Sequence, residues 1–247
     1  MRVCRHTGGF SLVEVLVSLG LGMMILLLAL GAMGAASDGY MDSTNQVAAT
    51  REARALMGLM AADLAKALPD EVPMVERSPG DWPRDRVGFL SLQPLDVQQV
   101  GERVGDVCAV VYYLRDWDFG GQVVPSVWRG FRSSGEVFEA LRDEDIESLY
   151  GENPRDEPIA RGVVAMEVEP LVRGADGEWV RWEENGAGPR VPAMMRLRLV
   201  MARRELMGKL QTADDWENHD LLGAYNEAEE SRYLEVFEFI HPIGHAG

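Results

Sequence analysis

Hydrophobic positions fall into three successive patterns along the 247 residues. The first is a nearly uninterrupted apolar run from Phe10 to Met33, in which Glu14 is the one formal charge. About 20 apolar residues are enough to cross the hydrocarbon core of a bilayer as a helix. The run therefore predicts a transmembrane helix over residues 10–34. A carboxylate near its start is costly in lipid, so it needs a specific partner.

The second pattern has a helical period, and it predicts an amphipathic continuation of the helix over residues 35–69. Apolar residues recur at the i, i+3, i+4, i+7 spacing of a single face: Ala53, Leu56, Met57, Met60, Ala61, Leu64, Ala67 and Leu68. The charged residues of this stretch, Asp63 among them, are assigned to the opposite face. Pro69 marks the end of the helix.

The third pattern, over residues 70–247, consists of short segments rich in β-branched and aromatic residues, separated by Gly, Pro and Asp. The predicted strands are Val87–Leu92, Val107–Leu114, Val127–Phe131, Val137–Leu141, Val163–Val172, Glu178–Trp182, Met194–Met201 and Tyr233–Ile240. Residues 151–158 are predicted as a loop and residues 174–177 as a turn. The resulting fold class is α+β: a long N-terminal helix packed on an antiparallel β-sheet head.

An insertion over residues 204–232 separates the last two predicted strands. Its carboxylates greatly outnumber its bases, since Lys209 is the one lysine or arginine between residues 205 and 230. Enough apolar residues are present for a short helix. We expect a surface excursion with some helix, either solvated or facing a partner.

Charge and cysteine content narrow the function classes. The formal net charge of −16 argues against nucleic acid or anionic lipid as a partner, because both reward positive patches. Cys4 lies ahead of the apolar run, and Cys108 lies within another apolar segment. Cys108 is most simply a small core residue.

The residue types that commonly carry chemistry form no convincing site. His241 and His245 have i, i+4 spacing, but Pro242 between them makes a helical metal pair improbable. The acidic stretches 116–118 and 214–218 resemble calcium ligands in composition, yet neither fits an EF-hand loop. Phosphate-binding loops and nucleophile elbows are absent from the sequence. We therefore expect no enzyme, no cofactor and no metal.

The junction ahead of the apolar run carries a specific signal. Met1 to Gly9 form a short leader containing Arg2 and Arg5, and the sequence then reads Gly-Phe-Ser-Leu-Val-Glu to Glu14. This arrangement resembles the type IV prepilin N-terminus, which pilins share with the pseudopilins of type II secretion. An ordinary secretory signal peptide or signal anchor would explain the length of the run, but neither explains the acid within it.

The resemblance implies a series of events. A prepilin peptidase would cut between Gly9 and Phe10 and N-methylate Phe10. The processed subunit would then assemble with other pilins or pseudopilins through its N-terminal helix, with Glu14 pairing the terminal amine of a neighbour. The residue-based alternative is that Glu14 faces interfacial water. Small residues in the run (Ser18, Gly20, Gly22, Ala29 and Gly31) either allow close helix packing or reflect general tolerance of glycine in membrane helices.

The second half of the head resembles a narrower group. A Gly-Val strand start at residues 162–163, a D-G-x-W turn at residues 176–179 and a P-x-x-M-R-L-R strand at residues 192–198 follow in order. This succession is similar to the minor pseudopilin called J of type II secretion and to the W-type minor pilins, although the acidic insertion departs from their pattern. It implies a structural subunit at or near the tip of a pseudopilus. The alternatives are a minor pilin of a type IV pilus or DNA-uptake system, and a membrane-anchored binding module.

Charge also predicts orientation. Arg2 and Arg5 precede the run, whereas the flank after it is neutral to acidic. The positive-inside rule therefore leaves the leader in the cytoplasm and the head on the other side of the membrane. Together with the resemblance, this predicts a single-pass inner-membrane protein with a periplasmic head.

Overall fold

The computed structural model describes residues 11–94, 98–99, 101–183, 189–218 and 220–244, with the backbone alone for residues 35–48 and 218. The chain divides into two compact units, Met1–Asn45 and Gln46–Gly247. The first unit contains the start of helix α1, which runs over Leu12–Leu64. The second unit contains the rest of that helix and all the strands described below.

In the first unit, α1 presents its apolar side chains outward. The stretch Leu12–Gly34 is long and apolar enough to span a membrane, and none of it is buried within the structure. It is the one candidate span among the described residues. The predicted helix over this run is therefore confirmed.

In the second unit, α1 packs on the head through the predicted face. Ala53, Leu56, Met60 and Leu64 are almost fully buried. The helix ends at Leu64 because the following residues pair with a strand: the Leu68 N–H donates to Leu90 O at 3.0 Å, and the Leu92 N–H donates to Lys66 O at 2.8 Å. Backbone groups at a helix end need such partners. The helix therefore stops before the predicted limit at Pro69.

The strands form two antiparallel sheets instead of one. The first sheet has the order β1-β2-β3-β4-β5, and the second has the order β7-β6-β8-β9. Their bounds are β1 Met74–Glu76, β2 Arg86–Leu92, β3 Val107–Phe119, β4 Gln122–Arg132, β5 Glu157–Arg161, β6 Val163–Arg173, β7 Trp179–Arg181, β8 Met194–Ala202 and β9 Leu234–Pro242. Segment 83–85 joins the sheets, since the Asp85 N–H donates to Met166 O and the Met166 N–H donates to Pro83 O. Buried residues of α1 and of both sheets form one core.

The predicted strand Val137–Leu141 is wrong, because these residues belong to helix α2, Ser134–Arg142. Ser133 caps this helix: its hydroxyl accepts from the Glu136 N–H, while the Glu136 carboxylate accepts from the Ser133 N–H. Such a capping box is a strong start signal for a helix. Burial of Val137 and Ala140, three residues apart, then follows the helical period.

Two further elements were not among those predicted. Strand β5 begins at Glu157, inside the predicted loop 151–158, and pairs with β4. Its Pro158 is tolerated because β5 is an edge strand, where one side needs no ladder donor. A short 3₁₀ helix, Ile146–Tyr150, follows α2. Its Tyr150 ring lies against Gly88, where a Cβ would come within 2.2 Å of the ring.

The acidic insertion contains the expected helix but is not merely a surface excursion. It includes α3 (Arg204–Met207), α4 (Ala213–Asn218) and a 3₁₀ helix over Tyr225–Glu230. Its apolar residues enter a second core beside the second sheet: Leu206, Leu210, Trp216, Leu222 and Ala228. Most of its carboxylates stay exposed. The acidic composition correctly predicted the solvated face of the insertion. Its apolar face is buried because it packs into this second core.

Candidate functional site

The first turn of α1 holds the candidate assembly residue. The Ser11 hydroxyl accepts from the Glu14 N–H at 3.2 Å, and the Ser18 hydroxyl donates to Glu14 O at 2.7 Å. Ser11 therefore begins the helix, with Glu14 three residues later in the S-x-x-E spacing of a capping box. A carboxylate here is favoured by the partial positive charge of the helix N-terminus. This local role explains why the helix tolerates an acid at its start.

The Glu14 side chain has no cationic partner within the described part of the chain. It is exposed, as are the apolar side chains around it, such as Val13 at 67%. Gly9 and Phe10, the predicted cleavage pair, lie outside the described residues. The structure therefore brings Glu14 together with Ser11 and Ser18. Its charge remains available to water or to a group from outside this chain.

The glycines of the apolar run are not required by packing within the chain. A Cβ placed on Gly20, Gly22 or Gly31 would meet nothing within 4 Å apart from the helix's own backbone and the adjoining residues. All three are exposed on α1. Both predicted explanations, close helix packing and general tolerance, are compatible with these positions.

Of the three buried aspartates that the structure describes in the head, Asp63 and Asp156 form ion pairs with arginines of the same chain. Asp63, on α1, accepts from the Tyr112 hydroxyl at 2.5 Å and from Arg129 Nε at 2.8 Å and Nη2 at 3.2 Å. The Gln93 amide lies at 3.4 Å. Tyr112 and Arg129 are cross-strand partners on β3 and β4, so this cluster ties α1 to the first sheet.

Asp156 is the centre of the second cluster, on the other face of the same sheet. Arg132 Nη1 donates to it at 2.5 Å and Nη2 at 3.1 Å, while the Tyr113 hydroxyl donates at 2.9 Å. The side chains of Arg132 and Asp156 are 5% and 0% exposed. Tyr112 and Tyr113 are adjacent on β3 and therefore point to opposite faces. Consecutive tyrosines thus serve two separate ion pairs.

Burial controls the titration of both tyrosines. It raises the pKa of Tyr112, and the charge and hydrogen bond of Asp63 raise it further. Burial and the hydrogen bond to Asp156 raise the pKa of Tyr113 in the same way. The hydroxyls therefore stay protonated and donate to their carboxylates. These clusters are structural, since every group has partners within the chain.

Sequence reasoning missed both clusters, although one signal for Asp63 was present. Asp63 lies three residues after Met60 and four before Ala67, which is the spacing of the buried face. Its charge, rather than its position, led to its assignment to the polar face. Asp156 had no such local signal, because it lies just before β5 while its partner Arg132 is distant in the sequence, at the end of β4.

The remaining sequence candidates have ordinary structural roles. Burial raises the pKa of Cys108 to about 11, so its thiol is an unreactive core group, as predicted. Asp116 pairs with Arg84 at 2.6 Å, and Asp118 accepts from the Gly121 N–H at 2.9 Å. The described residues contain no group of three or more potential metal ligands. His219 and His245 lie outside the described residues.

Comparisons with known proteins agree with the N-terminal signal. A family model described as the prokaryotic N-terminal methylation motif matches residues 4–30. Curated proteins gave no match. A solved type IV-like pilin from Thermus thermophilus is 16% identical, with 78% of this chain and 95% of that chain covered and a TM-score of 0.37. That score is too low to establish a shared fold.

The methylation motif, together with the candidate span, supports a type IV pilin-like protein. It supports a structural role of the pilin or pseudopilin kind. The same two features indicate a membrane-anchored protein with a single span.

Proposed function

We propose that this chain is a minor pseudopilin of a type II secretion system, incorporated at or near the tip of the periplasmic pseudopilus and supporting its assembly. The observation that carries the proposal is the exposed acid Glu14 in the first turn of an exposed apolar helix, within the matched methylation motif. The proposed organisation is a leader at residues 1–9, a span at 10–34, a helical continuation at 35–69 and a head at 70–247.

In this proposal, prepilin peptidase hydrolyses the peptide bond between Gly9 and Phe10 and methylates the new amine of Phe10. That amine carries a positive charge at the edge of the bilayer. Glu14 of one subunit pairs with the terminal amine of a neighbouring pseudopilin. An ion pair is strong in a medium of low dielectric constant, whereas either charge alone is penalised there. The pair therefore fixes the register of neighbouring subunits.

Two features of the head support the narrower assignment to a minor subunit. Asp176 and Gly177 lie in the turn of the β6–β7 hairpin, where the Gly177 N–H donates to Gly174 O at 3.0 Å. The P-x-x-M-R-L-R segment enters β8, which pairs with β6 along most of its length. These two of the three segments that carry the resemblance therefore contribute to one sheet.

The proposed location is the inner membrane, with the leader in the cytoplasm and the head in the periplasm. Arg2 and Arg5 supply the charge asymmetry that favours this orientation. A protease added to intact spheroplasts tests it. We expect digestion of the head in the wild-type chain, whereas protection of the head would contradict the orientation.

The assembly role is tested with Glu14→Ala, compared with Ser18→Ala as a matched polar-to-alanine control in the same helix. We expect both variants to lose the leader normally, as measured by the mass of the N-terminal peptide. We expect only Glu14→Ala to be missing from the sheared or affinity-purified filament. Equal recovery of Glu14→Ala and Ser18→Ala in the filament would contradict the proposal.

Deletion of the gene distinguishes secretion from the alternative, a minor pilin of a type IV pilus or DNA-uptake system. The proposal predicts retention of secreted proteins in the periplasm, with surface pili and DNA uptake unchanged. The opposite result would assign the chain to the alternative.

Charge substitutions in the insertion distinguish the proposed function from the other alternative, a membrane-anchored binding module. Its apolar residues are buried, so deleting the segment would damage the head. Replacing exposed Glu217, Asp220 and Glu227 with amides leaves that core intact. The proposal predicts unchanged filament assembly and secretion. Loss of secretion with normal assembly would favour a capture surface.

A further inference from the structure

A groove in the head, with a volume of about 540 Å³, has no role in the features described above. It lies beside the edge strand β1 and the 3₁₀ helix that follows α2. Five of its apolar lining residues are Val72, Met74, Leu141, Ile146 and Trp182. A groove of this size lies within the range of protein ligand sites.

The groove exposes more apolar surface than folding of the head requires. Val72 and Leu141 are 43% exposed and Ile146 is 39% exposed. Helix α2 buries Val137 on one face. Leu141, in the last turn of the same helix, stays exposed and lines the groove. Contiguous exposed apolar residues with a polar rim are typical of interaction surfaces.

The rim of the groove is acidic. Glu71 and Glu147 line it, with Arg77 as the single lysine or arginine of the lining. The adjoining segment, residues 143–147, contains four acids and no base, and all of it is exposed. Arg142 offsets part of this charge, since its guanidinium pairs with one of these acids, Asp143, at 3.3 Å and with Glu139 at 3.4 Å.

Tyr150 forms part of the floor of the groove, within reach of the charge of Glu71. Tyr150 is buried there beside Gly88. Burial raises its pKa to about 12, and the charge of Glu71 contributes. An apolar groove with this rim favours cationic over anionic ligands.

We propose that this groove binds a protein segment whose apolar side chains are flanked by lysine or arginine. The apolar side chains cover Val72, Leu141 and Ile146, and the basic groups meet Glu71 and Glu147. The rim disfavours an anionic membrane surface, and the net charge of −16 disfavours a second copy. The groove belongs entirely to the head, so the proposal is independent of the role of Glu14.

The test uses the full chain in nanodiscs of neutral phosphatidylcholine and a fluorescein-labelled peptide, Lys-Lys-Leu-Val-Leu-Ile-Lys-Lys. Fluorescence anisotropy measures binding, and empty nanodiscs provide the blank. We expect saturable binding that Leu141→Asp and Ile146→Asp each weaken by about tenfold. Ile240→Asp is the matched control, because Ile240 is 44% exposed and does not line the groove.

The charge of the rim is tested separately with the double variant Glu71→Gln, Glu147→Gln. We expect binding to weaken by about threefold and to depend less on salt, because rim charges act through screened electrostatics. Circular dichroism checks the folding of every variant. Val72→Ser provides a milder apolar truncation if either aspartate variant fails to fold, and the same direction of effect is expected.

Four results would overturn the proposal. The first is equal binding by Leu141→Asp and Ile240→Asp. The second is equal binding of a peptide in which glutamate replaces every lysine. The third is a signal that empty nanodiscs reproduce, which would make the membrane the occupant. The fourth is self-association that Leu141→Asp abolishes in sedimentation, which would make a second copy the occupant.

Discussion

The apolar span and the head differ in how they accommodate an acid among apolar residues. In the head, Asp63 and Asp156 are buried, and each has an arginine and a tyrosine as partners. In the span, Glu14 is exposed and has no cationic partner among the described residues. Among the described residues, its hydrogen bonds with Ser11 and Ser18 involve its backbone alone.

This difference distinguishes Asp63 and Asp156, which support the fold, from Glu14, whose charge can act outside its own chain. Removing one partner of a buried ion pair leaves an uncompensated charge, so Asp63 and Asp156 are committed to the fold. Glu14 lies in the other unit, and its described hydrogen bonds do not use its carboxylate. A carboxylate at the start of a membrane span is energetically costly in lipid. Because the fold does not need this one, Glu14 is a candidate functional residue.

The largest effect on stability is expected for Asp63→Ala. It would leave Arg129 half-buried without its carboxylate and would also remove the acceptor of the Tyr112 hydroxyl. We expect a loss of about 3–5 kcal/mol in the free energy of unfolding, measured by chemical denaturation in detergent. Asp116→Ala, which breaks the more exposed pair with Arg84, is the control, with an expected loss of about 1 kcal/mol or less. Similar losses in both variants would remove the distinction between buried and exposed acids.

The second-largest effect on the stability of the head is expected at alkaline pH. The pKa values of Tyr112 and Tyr113 are raised in the folded state, so their contribution is complete below the ordinary tyrosine pKa and is lost as pH rises above it. Each tyrosine then lowers the free energy of unfolding by about 1.4 kcal/mol per pH unit. Cys108, with its pKa raised to about 11, acts in the same direction from a lower pH. Thermal unfolding followed across this pH range measures the slope, and a flat profile would contradict the buried clusters.

A smaller loss is expected for Tyr113→Phe. The variant removes one hydrogen bond to Asp156, while Arg132 and the Asn153 N–H still satisfy the carboxylate. We expect a loss of about 1–2 kcal/mol and a shallower alkaline slope, both measured by the same denaturation experiments. The double variant Tyr113→Phe, Cys108→Ala should flatten the slope further. An unchanged slope would show that Tyr113 does not titrate as inferred.

The smallest effect on the stability of the head is expected for Glu14→Gln. Glu14 belongs to the first unit, and the Ser11 cap uses the backbone of Glu14. We expect a change below about 0.5 kcal/mol, which is ordinary for exposed substitutions. A larger loss in chemical denaturation would mean that Glu14 supports the fold after all.

Local patterns predicted most of the elements, because helical and alternating periods reflect which face is buried. The long helix and the strands at residues 163–173 and 194–202 follow their patterns closely. The pattern failed at residues 137–141, where a short apolar segment fits either period and the cap at Ser133 decides. The arrangement of the two sheets depends on pairing between distant residues, such as Asp85 with Met166 where the sheets join, and no local pattern contains that information.

Only part of the candidate functional features could be predicted from the sequence. The Gly-Phe junction and Glu14 could be recognised because they are contiguous, and their roles remain predictions. The two buried ion pairs were not predicted, because each requires partners from separate strands. The groove beside α2 was also missed, since segments that are distant in the sequence line it and Leu141 was expected to lie in a strand.

The central claim is that Glu14 carries a charge used outside its own chain. The most direct measurement is the recovery of Glu14→Gln and Glu14→Asp in the assembled filament, normalised to the amount of processed protein. The account predicts that both variants are cleaved between Gly9 and Phe10, that Glu14→Asp is recovered in the filament, and that Glu14→Gln is not. Recovery of Glu14→Gln at the wild-type level would contradict it.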